Sequence, residues 1–413
     1  MRGSIKRHPM LRVTVPKAGS FLLKIRRQPQ PLPFVRMELE TEDGKKRAFF
    51  VPALPLSRYV LNVSGPARLT VEGTGLESAK LRRLPPLRAR ILTRRKKDRA
   101  LALPLAEGSC LIPLINGAGP KGKELSKSLK LIRNWGFSLT SDNLQRSPGP
   151  LDNILPDPPK APATSPPAGT TPRFAVVLHL YYRDLWPEFE SRLLSLDEPF
   201  HLIVTTTQKD RGFENAVRAA FPDAQILVYE NRGRDIGPFM QLLHDGYLDR
   251  FPFICKLHGK RSGESGPRAL FGTVWRLTHI ADLIGTKEQV KSILARFEAD
   301  PRLGMIGSPR FRVPNEYIGP EAAWAKNREM TLHLAAKLGI AEDDFRLDFF
   351  AGTMFWIRRE ALNVVRELGL TLDDFPLETG TVDGELAHAL ERLFGALPHR
   401  DGMTTEYVSI MIE

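Results

Sequence analysis

Two segments of this chain combine basic side chains with the glycines and turn-forming residues of a ligand-binding loop. Residues 230–238 read ENRGRDIGP and residues 255–262 read CKLHGKRS. Each follows an apolar run that predicts a buried strand, and residues 239–248 have the apolar spacing of a helix. Basic side chains in such loops suit an anionic ligand, most simply a pyrophosphate. The cations concerned are Arg232, Arg234, Lys256, Lys260 and Arg261.

The other polar residues of these loops have two interpretations each. Asp235 binds a ribose or base edge, or it caps the following helix, and capping is the favoured interpretation. Asn231 and Gly233 are better suited to shaping the turn than to touching the ligand. Both are still candidates for binding the substrate. His258 either reaches a phosphate or an acceptor, or it is an ordinary packed side chain.

From residue 173 onward, apolar strand-like runs alternate with helical segments. The predicted strands include FAVVLHLYY, FHLIVTTT, AQILVYE and FPFICKLH. This alternation predicts an α/β domain with an open, mostly parallel sheet. In open sheets of this class the loops at the carboxyl ends of the strands hold the ligand, so the two basic loops should lie side by side.

Later segments add carboxylates to the same expected edge. Asp383 opens the helical run DGELAHALERLFG, where it either serves as a general base or caps the helix. Glu385 is the second candidate base and Asp348 the third. Gly352 allows a close backbone approach to an acceptor, or it simply forms a turn. His388 is favoured as a packed or surface histidine.

The order of these pieces resembles the glycosyltransferase-A (GT-A) fold. An Asn-x-Gly turn, a helix, a strand end, a Gly-rich strand followed by an arginine, and an acidic helix start follow one another. Where that fold has an Asp-x-Asp metal motif, this chain has Lys256-Leu257-His258. Lysine and histidine lack the hard oxygen ligands that Mg²⁺ and Mn²⁺ need. Fixed cations are therefore expected to offset the charge of a departing diphosphate, and no metal or cofactor is predicted.

Residues 173–410 resemble the rhamnan synthesis protein F family of bacterial polysaccharide glycosyltransferases. The matching words are NRGRDIGP, ICKLHGKRS, RLGMIGSP, FAGTMFWIRREAL and DGELAHALERLFG. The resemblance implies transfer of a sugar, a rhamnose-like deoxyhexose, from a nucleotide-diphosphate donor to a surface polysaccharide or its lipid-linked precursor. We expect an inverting reaction without a metal. The alternative is a non-catalytic glycan- or nucleotide-binding module of a polysaccharide assembly system.

The N-terminal part of the chain has a different composition. Residues 1–100 hold 24 Lys and Arg against 7 Asp and Glu, a net of +17, so the remainder is at −4 when the whole chain is at +13. Short alternating strands predict a β-sandwich-like accessory domain over 1–100. A mixed connecting segment (101–145) and a linker with nine prolines (146–172) precede the GT-A-like domain at 173–413.

Charge and composition also limit which classes of partner and which cellular compartment we expect. The N-terminal cations either keep the protein solvated or attract an anionic surface, such as membrane headgroups or a charged glycan. Nucleic acid is not expected, because no recognition-helix, zinc-finger or aromatic RNA-binding pattern accompanies the charge. Cys110 and Cys255 fit neither a disulfide framework nor a metal site. No apolar run approaches the roughly 18 residues of a membrane span. We expect a cytoplasmic protein with peripheral contact at the inner face of the membrane.

Overall fold

The chain divides into two compact units. The first comprises residues 1–154 together with 261–274, and the second comprises 155–260 together with 275–413. The computed structural model describes the following residues: 10–28, 34–42, 46–52, 56–72, 76–94, 103–104, 109–114, 172–259, 261, 266–315, 318–381 and 383–408. The linker expected at 146–172 lies outside these ranges except for its last residue, and most of 101–145 lies outside them as well.

The described part of the first unit contains two antiparallel sheets and a short helix. The elements are β1 Met10–Val15, β2 Gly19–Arg27, β3 Phe34–Thr41, β4 Lys46–Pro52, β5 Leu56–Val63, β6 Ala67–Glu72, β7 Leu76–Leu84, α1 Pro86–Leu92, β8 Leu103–Pro104 and β9 Cys110–Pro113. The four-stranded sheet has the order β1-β6-β3-β4 and the five-stranded sheet the order β7-β2-β5-β9-β8.

Alternation of apolar and polar residues explains these strands. Along β2 the side chains of Phe21, Leu23 and Ile25 are buried, whereas Lys24 and Arg26 between and after them are exposed. A two-residue period of this kind places one face of a strand in a core and the other in water. Buried side chains from both sheets meet in one hydrophobic cluster, so the two sheets share a core.

The second unit is built on a seven-stranded sheet flanked by helices. Its strand order is β12-β11-β10-β13-β17-β14-β18. The strands are β10 Phe174–His179, β11 Phe200–Thr206, β12 Gln225–Val228, β13 Phe253–His258, β14 Leu303–Gly307, β17 Phe355–Arg358 and β18 Thr404–Tyr407; β15 Arg312–Val313 and β16 Phe349–Phe350 form a separate two-stranded pair.

The helices of the chain after α1 lie between these strands. They are α2 Trp186–Leu193, α3 Arg211–Ala220, α4 Ile236–His244, α5 Gly266–Ile284, α6 Lys287–Ala299, α7 Pro320–Trp324, α8 Arg328–Lys337, α9 Arg359–Arg366 and α10 Leu386–Arg400. Helix α5 begins among the residues of the first unit and ends among those of the second.

The central sheet is mostly parallel, which confirms the mixed α/β class predicted from the alternation. Strands β12, β11, β10 and β13 are parallel neighbours, and β17 runs antiparallel to both β13 and β14. Every residue of β10 and of β13 is buried. Strands covered on both faces read as continuous apolar runs, which is why these two were visible in the sequence.

Helix α10 lies in the core of the second unit. Leu390, Leu393 and Phe394 are fully buried and share one hydrophobic cluster with Phe239 of α4. A methyl group at Gly395 would lie 1.8 Å from the carbonyl oxygen of Asp348, so only glycine allows this approach. The helix is thereby fixed beside the ends of the central strands, where the candidate site lies.

Candidate functional site

Polar side chains meet where three neighbouring strands end. His179 of β10 lies opposite Thr205 of β11 and opposite His258 of β13. Its Nδ1 atom is 2.9 Å from the Thr205 hydroxyl. These carboxyl ends are the position at which the sheet class predicts a ligand site.

Lys256 is buried at this edge and bound by protein atoms. Its side chain forms an ion pair with Asp235, and its Nζ atom lies 3.1 Å from both the carbonyl oxygen and the hydroxyl of Thr353. The Thr353 hydroxyl in turn donates to Asp235 at 2.5 Å. An ammonium group has three N–H donors, and each has an acceptor here. Direct contact between Lys256 and a ligand therefore stays a prediction.

The electrostatics of this cluster favour a charged pair. Burial alone would raise the pKa of Asp235, but His258, Lys256 and Thr353 lower that pKa well below its usual range. Burial lowers the pKa of Lys256, an effect that Asp235 and Glu391 oppose. A buried carboxylate and ammonium are stable together only when paired and hydrogen-bonded, as they are here.

The favoured interpretation of Asp235 as a helix cap is wrong. Asp235 does precede α4, but its side chain makes no capping hydrogen bond. The carboxylate contacts Lys256 and Thr353 instead, where it neutralises the buried ammonium group.

Gly352 forms a tight turn beside His258. Its φ of +93° lies in the region that favours glycine, and a methyl group there would lie 2.6 Å from the indole nitrogen of Trp275. His258 donates from Nε2 to the carbonyl oxygen of Gly352 at 2.6 Å, and the Gly352 N–H donates to Glu391 at 2.6 Å. The backbone N–H and C=O groups of Gly352 therefore both form hydrogen bonds that hold the turn.

The two arginines of the first loop hold a distant segment of the chain. Arg232 donates to the carbonyl oxygen of Phe375 at 2.9 Å. Arg234 forms an ion pair with Glu378 at 3.0 Å and also donates to the carbonyl oxygen of Thr381. We call residues 372–381 the strap, because these contacts tie them to the first basic loop.

Asn231 and Gly233 lie where the first basic loop meets the strap. The carbonyl oxygen of Asn231 accepts the N–H of Glu378 at 3.0 Å. Gly233 has a φ of +61°, and a methyl group there would lie 2.3 Å from the ring of Phe375. The glycine therefore lets the loop and the strap approach each other. Neither Phe375 nor Glu378 could be found from sequence, since no local pattern links the strap to the loop.

Asp383 is held by the segment before α8. Its two carboxylate oxygens accept from the Asn327 side chain at 2.6 Å and from the Lys326 N–H at 3.0 Å. Burial alone would raise the pKa of Asp383, but the hydrogen bonds from Asn327 and Lys326 lower it. The capping alternative is wrong, because α10 begins at Leu386 with Glu385 as its N-cap. The role of Asp383 as a base stays a prediction.

The remaining acidic candidates have different surroundings. The Glu385 N–H donates to Nδ1 of His388 at 3.3 Å, and His388 is buried, which agrees with its favoured interpretation as a packed histidine. Asp348 forms a two-pronged ion pair with Arg312, at 2.7 and 2.5 Å. The third candidate base is therefore engaged with an arginine.

Glu391 is a carboxylate at this edge that sequence reasoning missed. Its carboxylate accepts a hydrogen bond from the Gly352 N–H, and its negative charge raises the pKa of Lys256. It lies three residues after His388 on α10, and residues three apart share a helix face. That spacing was a signal that could have identified it.

Two predicted cations cannot be placed at the site. Lys260 lies outside the described residues, and Arg261 is grouped with the first unit. Their contacts with a ligand stay predictions.

A site without a metal ion stays a prediction. Within the described ranges, no group of three His, Cys, Asp or Glu side chains is arranged to hold one. Lys256 and His258, which stand where a GT-A metal motif would be, both act as hydrogen-bond donors. Among the described helices, none is long and apolar enough to cross a membrane.

Comparison with known proteins identifies the family. Residues 139–403 match rhamnan synthesis protein F, which is more than half of the chain. The chain belongs to the rhamnan synthesis protein F family. This match confirms the resemblance that the sequence segments indicated. It begins at residue 139, earlier than the expected residue 173. Family membership assigns the protein a role in polysaccharide biosynthesis.

The chain is also similar to curated bacterial proteins. Two strains of Xanthomonas campestris pv. campestris each have an "uncharacterized protein WxcX" that is 30% identical over 227 residues. The similarity covers 54% of this chain and 31% of each relative. The chain thus spans about a third of the length of these relatives.

Proposed function

We propose that the protein is a glycosyltransferase that moves a rhamnose-like deoxyhexose from a nucleotide-diphosphate sugar to a bacterial surface polysaccharide or its lipid-linked precursor. The observation that carries the proposal is that the sequence segments typical of the family lie together at one edge of the central sheet. The loop after β12, the end of β13, the turn at Gly352 and helix α10 are joined there by the contacts of Asp235, Lys256 and Glu391. We interpret the second unit as GT-A-like on this basis.

The donor diphosphate is assigned to the basic loops. Arg232 and Arg234 supply planar guanidinium groups suited to phosphate oxygens. Lys256 stabilises the site indirectly, because it holds Asp235 and Thr353 in place. Fixed cations then stabilise the charge on the departing nucleoside diphosphate, because Lys256 and His258 offer no oxygen ligands for Mg²⁺ or Mn²⁺.

Asp383 is assigned as the general base of an inverting transfer. Its carboxylate accepts the proton of the acceptor hydroxyl while that oxygen attacks the anomeric carbon. The bond between the anomeric carbon and the phosphate oxygen breaks, and the electron pair leaves with the nucleoside diphosphate. The hydrogen bonds from Asn327 and Lys326 keep the carboxylate ionised and oriented.

A non-catalytic glycan- or nucleotide-binding module is the second candidate. The surroundings of Asp383 favour it, because a carboxylate that already accepts hydrogen bonds from Asn327 and Lys326 is less able to take a proton from an acceptor hydroxyl. The lowered pKa of Asp383 also makes that residue a weaker base.

A donor panel separates the two candidates. The full chain would be incubated with nucleotide-activated deoxyhexoses and hexoses, with and without a lipid-linked glycan acceptor, and nucleoside diphosphate release would be measured. We expect acceptor-dependent release that persists in excess EDTA. Calorimetric binding without release for every donor would establish the binding module instead. A loss of release in EDTA that added Mg²⁺ or Mn²⁺ restores would reject the metal-free mechanism.

A further inference from the structure

One face of the five-stranded sheet carries positive charges that lie directly opposite each other. Lys24 of β2 pairs in register with Arg58 of β5 on one side and with Lys80 of β7 on the other. All three side chains are exposed. Like charges directly opposite in a sheet destabilise it, so the arrangement has a cost to the fold.

Two more cations extend this row. Arg26 lies two residues after Lys24, and Arg82 lies two residues after Lys80, so both share the same face. Both are exposed. We call the five residues the basic face: Lys24, Arg26, Arg58, Lys80 and Arg82.

In the four-stranded sheet of the same unit, an exposed positive charge lies opposite a negative one. Exposed Arg68 of β6 lies opposite Glu40 of β3, and the two side chains form an ion pair at 3.4 Å. On the basic face, no described carboxylate forms an ion pair with Lys24, Arg58 or Lys80. Lys24, Arg58 and Lys80 therefore place positive charge on this surface without a described carboxylate paired to it.

Helix α1 adds exposed apolar side chains to this surface. It packs through buried Ala89 beside Leu22 and Val60, which lie on the same face of the sheet as Lys24. Leu87 and Ile91, one turn apart on α1, are 72% and 50% exposed. Arg88 and Arg90 between them are exposed as well.

We propose that the basic face and helix α1 dock on an anionic membrane surface. The cations lie against lipid phosphates, to which basic clusters are attracted. Leu87 and Ile91 enter the boundary between headgroups and acyl chains, as the apolar side of an interfacial helix does. A soluble polyanion would neutralise the cations but offer nothing to the apolar pair, and this favours the membrane. The inference does not depend on the proposed transfer reaction.

Charge reversal on the face provides the first test. Full-length Lys24→Glu/Arg82→Glu protein would be compared with Arg12→Glu/Lys17→Glu, which removes the same charge from exposed positions elsewhere in the unit. Binding would be measured by sedimentation with phosphatidylcholine vesicles with and without phosphatidylglycerol. We expect the first variant to bind the anionic vesicles at least about tenfold more weakly and the second to stay close to wild type. Equal weakening of both would reject a dedicated surface.

The fold should survive this change. A carboxylate at position 24 would lie between Arg58 and Lys80 and would replace two repulsive contacts with attractive ones. We expect the melting temperature of Lys24→Glu to be unchanged or higher, so weaker vesicle binding cannot be attributed to unfolding. A marked fall in melting temperature would contradict the charge arrangement itself.

The apolar pair distinguishes a membrane from a soluble polyanion. We expect Leu87→Ser/Ile91→Ser to weaken binding to phosphatidylglycerol vesicles while leaving binding to heparin unchanged. If this variant keeps full vesicle affinity, or if wild type prefers heparin, nucleic acid or an anionic glycan to the vesicles, the partner is a soluble polyanion and the proposal fails.

Discussion

Lys256 and Asp235 have the chemistry of a ligand site but the environment of a core. Both members of the pair also form a hydrogen bond with Thr353, and the lysine is only 1% exposed. The pair therefore fixes the geometry of the strand ends before any ligand arrives. Its energetic weight can be measured separately from binding.

Breaking this buried pair should destabilise the second unit strongly. Lys256→Met leaves the Asp235 carboxylate buried without its counter-charge, which costs about 3–5 kcal/mol. Urea unfolding would measure the free energy. As a control, Arg400→Gln removes one end of the exposed Arg400–Glu367 pair and should cost less than about 1 kcal/mol. Similar costs for the two variants would show that Lys256 is solvated in solution.

Asp383 can be tested as a base by removing its basicity. Asp383→Asn should abolish transfer and leave donor affinity nearly intact, so the loss appears in kcat. Because both oxygens accept hydrogen bonds, an amide must lose one of them, and we expect a stability cost of about 1 kcal/mol. Glu385→Gln is the matched control. Activity that survives in Asp383→Asn and is lost in Glu385→Gln would move the base to Glu385.

His179 should make the protein sensitive to acid. Burial lowers its pKa from 6.5 to about 4, although Asp235 opposes this effect. Between these values the unfolded chain binds a proton that the folded chain does not, so stability falls as pH decreases through that window. The loss amounts to about 3 kcal/mol.

The acid sensitivity can be isolated with a non-titrating side chain. His179→Asn keeps a polar group near the Thr205 hydroxyl but does not titrate. We expect its unfolding free energy to fall less than that of wild type between pH 6.5 and about 4. His244→Asn, at an exposed position, should behave as wild type does. Parallel pH profiles for all three proteins would be inconsistent with a buried neutral His179.

At the scale of elements, the strap is the part of the site whose position depends on side-chain contacts with another loop. Arg232 and Arg234 bind it through Phe375, Glu378 and Thr381. These are the same guanidinium groups that the proposed function assigns to the diphosphate. The carboxylate of Glu378 would therefore compete with a phosphate for Arg234.

Removing this competition should strengthen nucleotide binding. Glu378→Gln frees Arg234, and we expect nucleoside diphosphate to bind about tenfold more tightly, equivalent to roughly 1.4 kcal/mol. Calorimetry would measure the change. Glu342→Gln removes an equal charge from the exposed Arg328–Glu342 pair, which is not assigned to the diphosphate, and should change the affinity little. Weaker binding in Glu378→Gln would mean that the strap helps to form the site.

At the scale of the whole molecule, residues 261–274 belong to the unit that is otherwise N-terminal. A fragment of residues 173–413 should fold and bind nucleotide, since it contains every strand of the central sheet. It carries residues 261–274 without the rest of their unit. We expect this short region to be less protected in the fragment than in the full chain.

Limited proteolysis can detect this difference. Trypsin should cut after Arg268 faster in the 173–413 fragment than in the full chain, because local stability depends on neighbouring contacts. Cleavage after Arg296, within α6 of the second unit, should be equally slow in both. Mass spectrometry of timed digests would identify the cuts. Equal rates at Arg268 would show that this region needs nothing from the first unit.

Sequence alone determined the class of the second unit and predicted the sheet edge at which the candidate site lies. The buried runs of β10 and β13 and the loops that follow them depend on local composition. Gly233 could also be assigned to a turn, because the backbone conformation there excludes most side chains. Such features are encoded within a few neighbouring residues, and a periodic pattern is enough to reveal them.

Only the tertiary structure decided which charges meet. Lys256 and Thr353 are 97 residues apart, Arg234 and Glu378 are 144 apart, and Asp383 and Asn327 are 56 apart. A basic loop looks the same in sequence whether its cations face a ligand or a carboxylate from another segment. Long-range packing selects the partner, because an unpaired buried charge costs more than any local preference can offset. For this reason the sequence predicted the edge of the sheet but not the saturated Lys256, the strap or Glu391.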